Sequence, residues 1–189
     1  MNPGSPSRAE EDLPSTESEN PASRGLDSRT AREIAGVIHA EDLKAWESLD
    51  SELDTIAEVV DVVAEAFDRG GRLIYLGAGT SGRLGVLDAS ECPPTFGVEP
   101  GLVEGFIAGG DRALRCAVEG AEDSSEDGSR IISEAAVGER DVVCGISASG
   151  RAPFVQGALE EALTRKEIEE ARTARELREQ LQLLARDSY

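Results

Sequence analysis

Lysine occurs only at Lys44 and Lys166, histidine only at His39, and no apolar run approaches the length of a membrane span. Lys+Arg number 19 against 38 Asp+Glu, a net charge of -19 that repels nucleic acid and anionic membranes. An anionic ligand must therefore be caught by local donors, not by the overall field. An acid-rich, lysine-poor surface suits a salty cytoplasm; biased base composition explains it equally well. Cys92, Cys116 and Cys144 are odd in number and show no metal-ligand spacing, which fits a reducing cytosol with no metal centre. The N-terminus has no signal-peptide core, so the expected location is cytoplasmic. With 189 residues the chain offers one domain's worth of core plus extensions.

Residues 1–28 are polar and rich in Pro, Ser and Glu, a segment expected to be disordered or to lie extended over a partner. Helical spacing follows in Ile34-Val37-Ile38 and in Leu53-Ile56-Val59-Val60-Val63-Phe67. Short apolar strands are predicted at Leu73 to Leu76, Leu102 to Ile107 and Asp141 to Ile146, with helices at Asp111 to Asp123 and Ser129 to Val137 between them. Strand, helix, strand, helix, strand, helix is the order of an α/β fold with a parallel three-layer sheet.

The first strand leads into Gly77-Ala-Gly-Thr-Ser-Gly-Arg83 and then a helix that Pro93 and Pro94 are expected to stop. Gly77, Gly79 and Gly82 let the backbone approach a ligand closely. The next helix start offers free N–H groups and a positive dipole end, and Thr80 and Ser81 add hydroxyls. Three familiar motifs fail here. GxGxxG is matched, but the second strand runs into Ala108-Gly109-Gly110 with no ribose-binding acid. Arg83-Leu84 stand where a P-loop needs Lys and Ser/Thr. Gly-Thr-Ser81-Gly-Arg lacks the last glycine of a nucleophile elbow, and His39 lies upstream. A phosphorylated small molecule remains, alongside a plain strand-to-helix connection. After the third strand, Ser147-Ala-Ser149-Gly150-Arg151 forms a second hydroxyl-rich turn, and two such turns at strand carboxyl ends are expected to converge on one crevice.

These residues resemble the N-acetylmuramic acid 6-phosphate etherases, which carry a sugar isomerase (SIS) domain. The matching stretches are Thr16 to Ser23, Gly70 through Gly97, Phe106 to Gly110, Ala117 to Asp123 and Ser147 to Arg151, together spanning Thr16 to Leu163. The run Gly77 to Gly97 is long enough to be specific for that family and for the related glucokinase regulatory proteins. The resemblance implies a lyase that removes D-lactate from the sugar ether and leaves N-acetylglucosamine 6-phosphate. It implies catalytic glutamates at Glu91 and Glu122. Phosphate-binding positions are expected at Gly79, Thr80, Ser81, Gly82, Arg83, Ser147, Ser149, Gly150 and Arg151. No cofactor is needed, since one carboxyl group serves as base and another as acid. The expected partners are a phosphorylated amino sugar and further copies of the chain in a homo-oligomer, a dimer, with no nucleic acid and no membrane.

If the helix ends by Cys92, Glu91 sits at its negative end, where a carboxyl is expected to hold its proton more firmly and so to suit an acid. Glu119 and Glu122 are spaced to share a helix face. Without the resemblance, both Glu91 and Glu122 read as surface charge.

Residues 29–163 form the expected partial SIS domain. The departure comes after Leu163, where residues 164–189 read as a charged amphipathic helix with Ala174, Leu177, Leu181 and Leu184 at a/d-like spacing. This ending is expected to reflect a break after the family's first half. Alternatives are a non-catalytic sugar-phosphate-binding regulator or an inert fragment.

Overall fold

The computed structural model describes residue 16 and residues 18–167. The chain divides into two compact units, Met1–Asp61 and Val62–Tyr189.

In the first unit, 3-10 turns at Pro21–Ser23 and Leu26–Ser28 precede helix α1, Ala31–Glu47. Asn20 is a side-chain cap: its Oδ1 accepts from Ala22 N at 2.9 Å and its Nδ2 donates to Glu41 at 2.9 Å. The part of the N-terminal segment from residue 18 onward is thus locally hydrogen-bonded, and apart from residue 16 the rest of it lies outside the described residues. Thr30 and Glu33 form a capping box that fixes where α1 begins. Helix α2, Leu53–Asp68, follows a 3-10 turn at Ser48–Glu52 and spans the boundary at Asp61.

The second unit is an α/β fold. Strands β1 (Leu73–Gly77), β2 (Val103–Ile107) and β3 (Val142–Ile146) pair in parallel in the order β2-β1-β3. Between them run α3 (Gly79–Phe96), α4 (Asp111–Arg115) and α5 (Ser125–Glu134), and a helix over 153–167, α6, follows β3. Among the described residues β3 has no neighbour on its outer side.

One face of the sheet carries the core. Ile74 and Leu76 pack with Ile132 of α5 and with Phe154, Val155 and Ala158 of α6. Burying each of these side chains except that of Ala158 contributes about 1.5–3 kcal/mol. The opposite face meets α3 through small residues: Gly82, Gly85 and Ala89 are the buried positions of that helix. A Cβ on Gly85 would stand 2.9 Å from the Tyr75 Cβ, so the helix backbone rides directly on the strand. Both faces of β1 are covered, which is why Leu73 to Leu76 are apolar without alternation.

Two helical expectations are corrected. α3 runs through Pro93 and Pro94 to Phe96 and ends at Gly97, which adopts φ +67° and donates its N–H to Pro93 O at 2.9 Å. A left-handed glycine supplies a stop that the prolines do not. The helix expected over Asp111 to Asp123 is two pieces, because Cys116 is extended and Gly120 is left-handed; only Asp111–Arg115 and a 3-10 turn at Ala121–Asp123 are helical. Apolar surface is left uncovered on helices, at Leu43, Trp46, Leu84, Leu87 and Phe96 among others, and among the described residues no large apolar side chain of the strands is exposed. Residues 164–167 continue α6; the stripe from Ala174 to Leu184 lies outside the described residues.

Candidate functional site

Parallel strands send their carboxyl ends to one side, and the chain turns over the sheet there three times. After β1, Ala78 is extended and offers no capping side chain to α3, so the first-turn N–H groups of Gly79, Thr80 and Ser81 face outward without a side-chain acceptor. Gly79 takes φ +54° with open space where a Cβ would be. Its lack of a side chain leaves the approach to those donors clear. Gly82 is different. Its N–H donates to Ala78 O at 3.3 Å, and a Cβ there would lie 2.5 Å from Gly77 O. Gly82 is a packing residue, buried between β1 and Ile107.

A cavity of about 230 Å³ opens at this helix start. It is lined by Gly79, Thr80 and Arg83 of α3, by Ala108 after β2, and by the loop that carries Glu119 and Glu122. Small side chains make its wall: Ala78, Ala113, Ala117 and Ala121. The loop folds inward because Gly109, at φ +83°, lets Val118, Ala113 and Ala121 close over it. Arg83 is the one cation among the lining residues, and its Nε donates to Leu114 O at 3.3 Å, which holds the guanidinium at the rim. The arrangement offers an uncapped helix start and a guanidinium for an anion, beside two carboxylates for proton transfer.

Of the expected site residues, Gly79, Thr80, Arg83 and Glu122 come together here. Ser81 is half-buried in the first turn of α3 and does not line the cavity. The second turn stands next to the first, since Gly77 of β1 is the register partner of Ile146 of β3. Its hydroxyls serve their own backbone: Ser147 Oγ accepts from Gly150 N at 3.1 Å and Ser149 Oγ from Arg151 N at 3.2 Å. With order β2-β1-β3, the crevice between β1 and β3 is the switch point of the sheet. Gly150 and Arg151 are exposed there.

Glu91 is elsewhere. It is exposed on α3, twelve residues beyond Gly79, roughly 18 Å along the helix axis. Because α3 continues to Phe96, Glu91 is also not at the helix end, and the dipole argument for it loses its premise. Glu119 and Glu122 do not share a helix face, since Gly120 between them is left-handed; the bend instead presents both to the cavity. Glu119 and the alanine wall were missed as site residues. The signal was Gly109-Gly110 directly after β2, which marks a second strand-end turn facing the same side.

Other reactive groups sit on the α3 face of the sheet. Burial pushes the Tyr75 phenol up to about 12, with the neighbouring Asp88 carboxylate adding to the effect. Burial likewise raises the Cys92 and Cys144 thiols, so neither is set up as a thiolate nucleophile. Among the described residues no cluster of His, Cys, Asp and Glu could hold a metal ion, and no helix is long and apolar enough to cross a membrane.

The family model of the glucokinase regulatory protein N-terminal SIS domain matches residues 55–163. The N-acetylmuramic acid 6-phosphate etherase of Glaesserella parasuis serovar 5 is 54% identical over 144 residues, covering 76% of this chain and 47% of that protein. The etherase of Salinibacter ruber is 54% identical over 147 residues, covering 78% and 47%, and that of Jannaschia sp. is 52% identical over 147 residues, covering 78% and 46%. The chain spans about half the length of the curated relatives it matches. With more than half of its residues inside the matched SIS span, the chain belongs to the glucokinase regulatory protein N-terminal SIS domain family.

Proposed function

We propose that the chain provides the sugar-phosphate-binding half of an N-acetylmuramic acid 6-phosphate etherase, a carbon–oxygen lyase that releases D-lactate and leaves N-acetylglucosamine 6-phosphate. The carrying observation is the cavity that sets Glu122 opposite the uncapped start of α3 and Arg83, in a chain 54% identical to enzymes of that name. The phosphate takes the N–H groups of Gly79, Thr80 and Ser81, the hydroxyl of Thr80, and Arg83. Ser147, Ser149, Gly150 and Arg151 approach it from the β3 side.

Chemistry runs on the ring-opened sugar, whose aldehyde acidifies the proton on carbon 2. Glu122 as carboxylate removes that proton; the electron pair forms the carbon 2–carbon 3 double bond and expels the ether oxygen from carbon 3. A second carboxyl group protonates the departing lactate oxygen; the resemblance to the etherases assigns this to Glu91, which within one chain stands roughly 18 Å along α3 from the helix start. Water then adds at carbon 3 and carbon 2 regains a proton. No cofactor enters the balance. The proposed setting is the cytoplasm, in keeping with three free cysteines.

Incubation with N-acetylmuramic acid 6-phosphate and enzymatic measurement of D-lactate tests the reading. Lactate release that is abolished in Glu122→Gln supports it. The match to a regulatory-protein SIS domain favours a second reading, a sugar-phosphate-binding regulator. Tight binding of N-acetylglucosamine 6-phosphate with no lactate release would select that one. Neither binding nor release would sink both.

A further inference from the structure

The proposed chemistry contains a step that neither Glu122 nor Glu91 serves. An aldose phosphate in water is almost wholly a cyclic hemiacetal, and in that form carbon 1 has no carbonyl group to acidify the proton on carbon 2. The bond from carbon 1 to the ring oxygen must break before Glu122 has a proton to take. Opening a hemiacetal calls for a base at the carbon 1 hydroxyl. Carbon 1 is bonded to carbon 2, so that base must stand beside the one that serves carbon 2.

Glu119 has this position. It lines the cavity together with Glu122, whereas Asp123, the third acid of the loop, does not. Three residues of chain separate the two glutamates, a span of about 11 Å at full extension. The chain between them is bent. Ala121 N–H donates to Val118 O at 3.4 Å, which closes a four-residue turn with Glu119 and Gly120 at its corner. Gly120, at φ 70° and ψ 0°, has the third-position angles of a type II turn, and a residue without a Cβ adopts them freely. The stem of the turn is pinned. Side-chain atoms of Val118 and Ala121 lie 3.1 and 3.3 Å from where a Cβ on Gly109 would stand, so both close on the backbone that leaves β2. Glu119 therefore rides on a held corner at the cavity, and among the described residues no ion pair engages its carboxylate. Fixed placement of this kind is what lets a carboxylate act on one chosen proton.

We propose that Glu119 opens the sugar ring, and that the cavity thereby interconverts the anomers of a bound hexosamine 6-phosphate, an activity separable from lactate release. The inference rests on the sugar-phosphate part of the etherase reading for its ligand. Glu119 as carboxylate takes the proton of the carbon 1 hydroxyl. The electron pair of that O–H bond becomes the second bond of the carbonyl, the bond from carbon 1 to the ring oxygen breaks, and the ring oxygen keeps its pair and takes a proton from water. Glu119 returns its proton to the hydroxide left behind. Nothing is oxidised or reduced. The free aldehyde then stands beside Glu122, and closure on its other face gives the other anomer.

Exchange NMR between the α and β forms of N-acetylglucosamine 6-phosphate tests the step on the full chain, with no bond broken at carbon 3. Rates are compared at saturating ligand, so that a change in affinity does not enter. The expected result is exchange faster than in buffer, an enhancement that Glu119→Gln lowers by about 10²-fold and that Glu119→Asp, which keeps a carboxylate, in part retains. Glu122→Gln is expected to lose lactate release while still exchanging the anomers. No enhancement in a chain that binds the sugar phosphate would overturn the inference, as would an enhancement kept in Glu119→Gln or one lost only in Glu122→Gln. Glu119-dependent exchange without lactate release from N-acetylmuramic acid 6-phosphate would reject the lyase and leave the ring opening standing. Absence of sugar-phosphate binding would reject both.

Discussion

Arg72 and Asp141 are joined by two hydrogen bonds, Nε to Oδ1 at 3.2 Å and Nη2 to Oδ2 at 2.7 Å, at the amino-terminal ends of the strands, opposite the crevice. Arg72 also reaches Glu104 at 2.8 Å and Ala135 O at 3.1 Å, while Asp141 accepts from the N–H groups of Arg72 and Gly138. The entry points of all three strands are tied through one guanidinium. Asp141→Asn is expected to cost about 2–3 kcal/mol in denaturant unfolding, less than a fully buried pair because the Arg72 side chain keeps some contact with water.

The pair also sets an acid limit. Burial by itself would push the Asp141 carboxyl up, but Arg72 and the two N–H donors outweigh it and hold the carboxyl below its ordinary 3.8. A carboxylate with a depressed folded pKa adds stability above its unfolded pKa, and that stability is lost as pH falls through the folded value. Unfolding midpoints measured between pH 6 and 2 are expected to decline below about pH 4 in the parent. In Asp141→Asn that part of the decline is absent.

Packing of α3 on β1 predicts a contrast between two glycines. A Cβ on Gly82 meets Gly77 O at 2.5 Å and Ile107 Cγ1 at 2.6 Å, whereas one on Gly138 meets nothing within 4 Å. Gly82→Ala is expected to cost about 2 kcal/mol or more, and Gly138→Ala to stay within about 0.5 kcal/mol. Paired thermal melts decide it. Equal melting temperatures would mean that the helix is not seated on the strand as described.

Binding and chemistry should separate at the crevice. Arg83→Ala is expected to weaken N-acetylglucosamine 6-phosphate binding by about 1.5–3 kcal/mol in calorimetric titration, and Thr80→Ala or Ser149→Ala by about 1–3 kcal/mol. Glu122→Gln keeps the shape of the side chain but cannot take the proton. It is expected to leave affinity within a few-fold while lowering lactate release at least about 10²-fold. Full turnover in Glu122→Gln would remove it from the catalytic role.

The three parallel strands and the glycine-rich strand-to-helix turn at Gly77 to Arg83 were legible because uninterrupted apolar runs and glycine spacing are local signals. Two features were not. Helix propensity stops a helix at Pro93, yet α3 continues to Phe96 because it is seated along β1 and β2 and its stop is the left-handed Gly97. The register of glutamates depended on backbone angles: Glu119 and Glu122 look like a helical pair, and only the positive φ of Gly120 turns both toward the cavity. Glu91 was legible as a residue but not as a location. What the prolines concealed is that α3 continues past Glu91 to Phe96, which removes it from the helix end.

The account's central claim is that a sugar phosphate binds at the start of α3. Amide NMR spectra of the chain titrated with N-acetylglucosamine 6-phosphate test it without requiring turnover. Saturable shifts are expected at Gly79, Thr80, Ser81, Arg83 and Glu122, and at Ser149 and Gly150 across the switch point. Shifts confined to the Arg72–Asp141 end of the strands, or none at all at millimolar ligand, would contradict it.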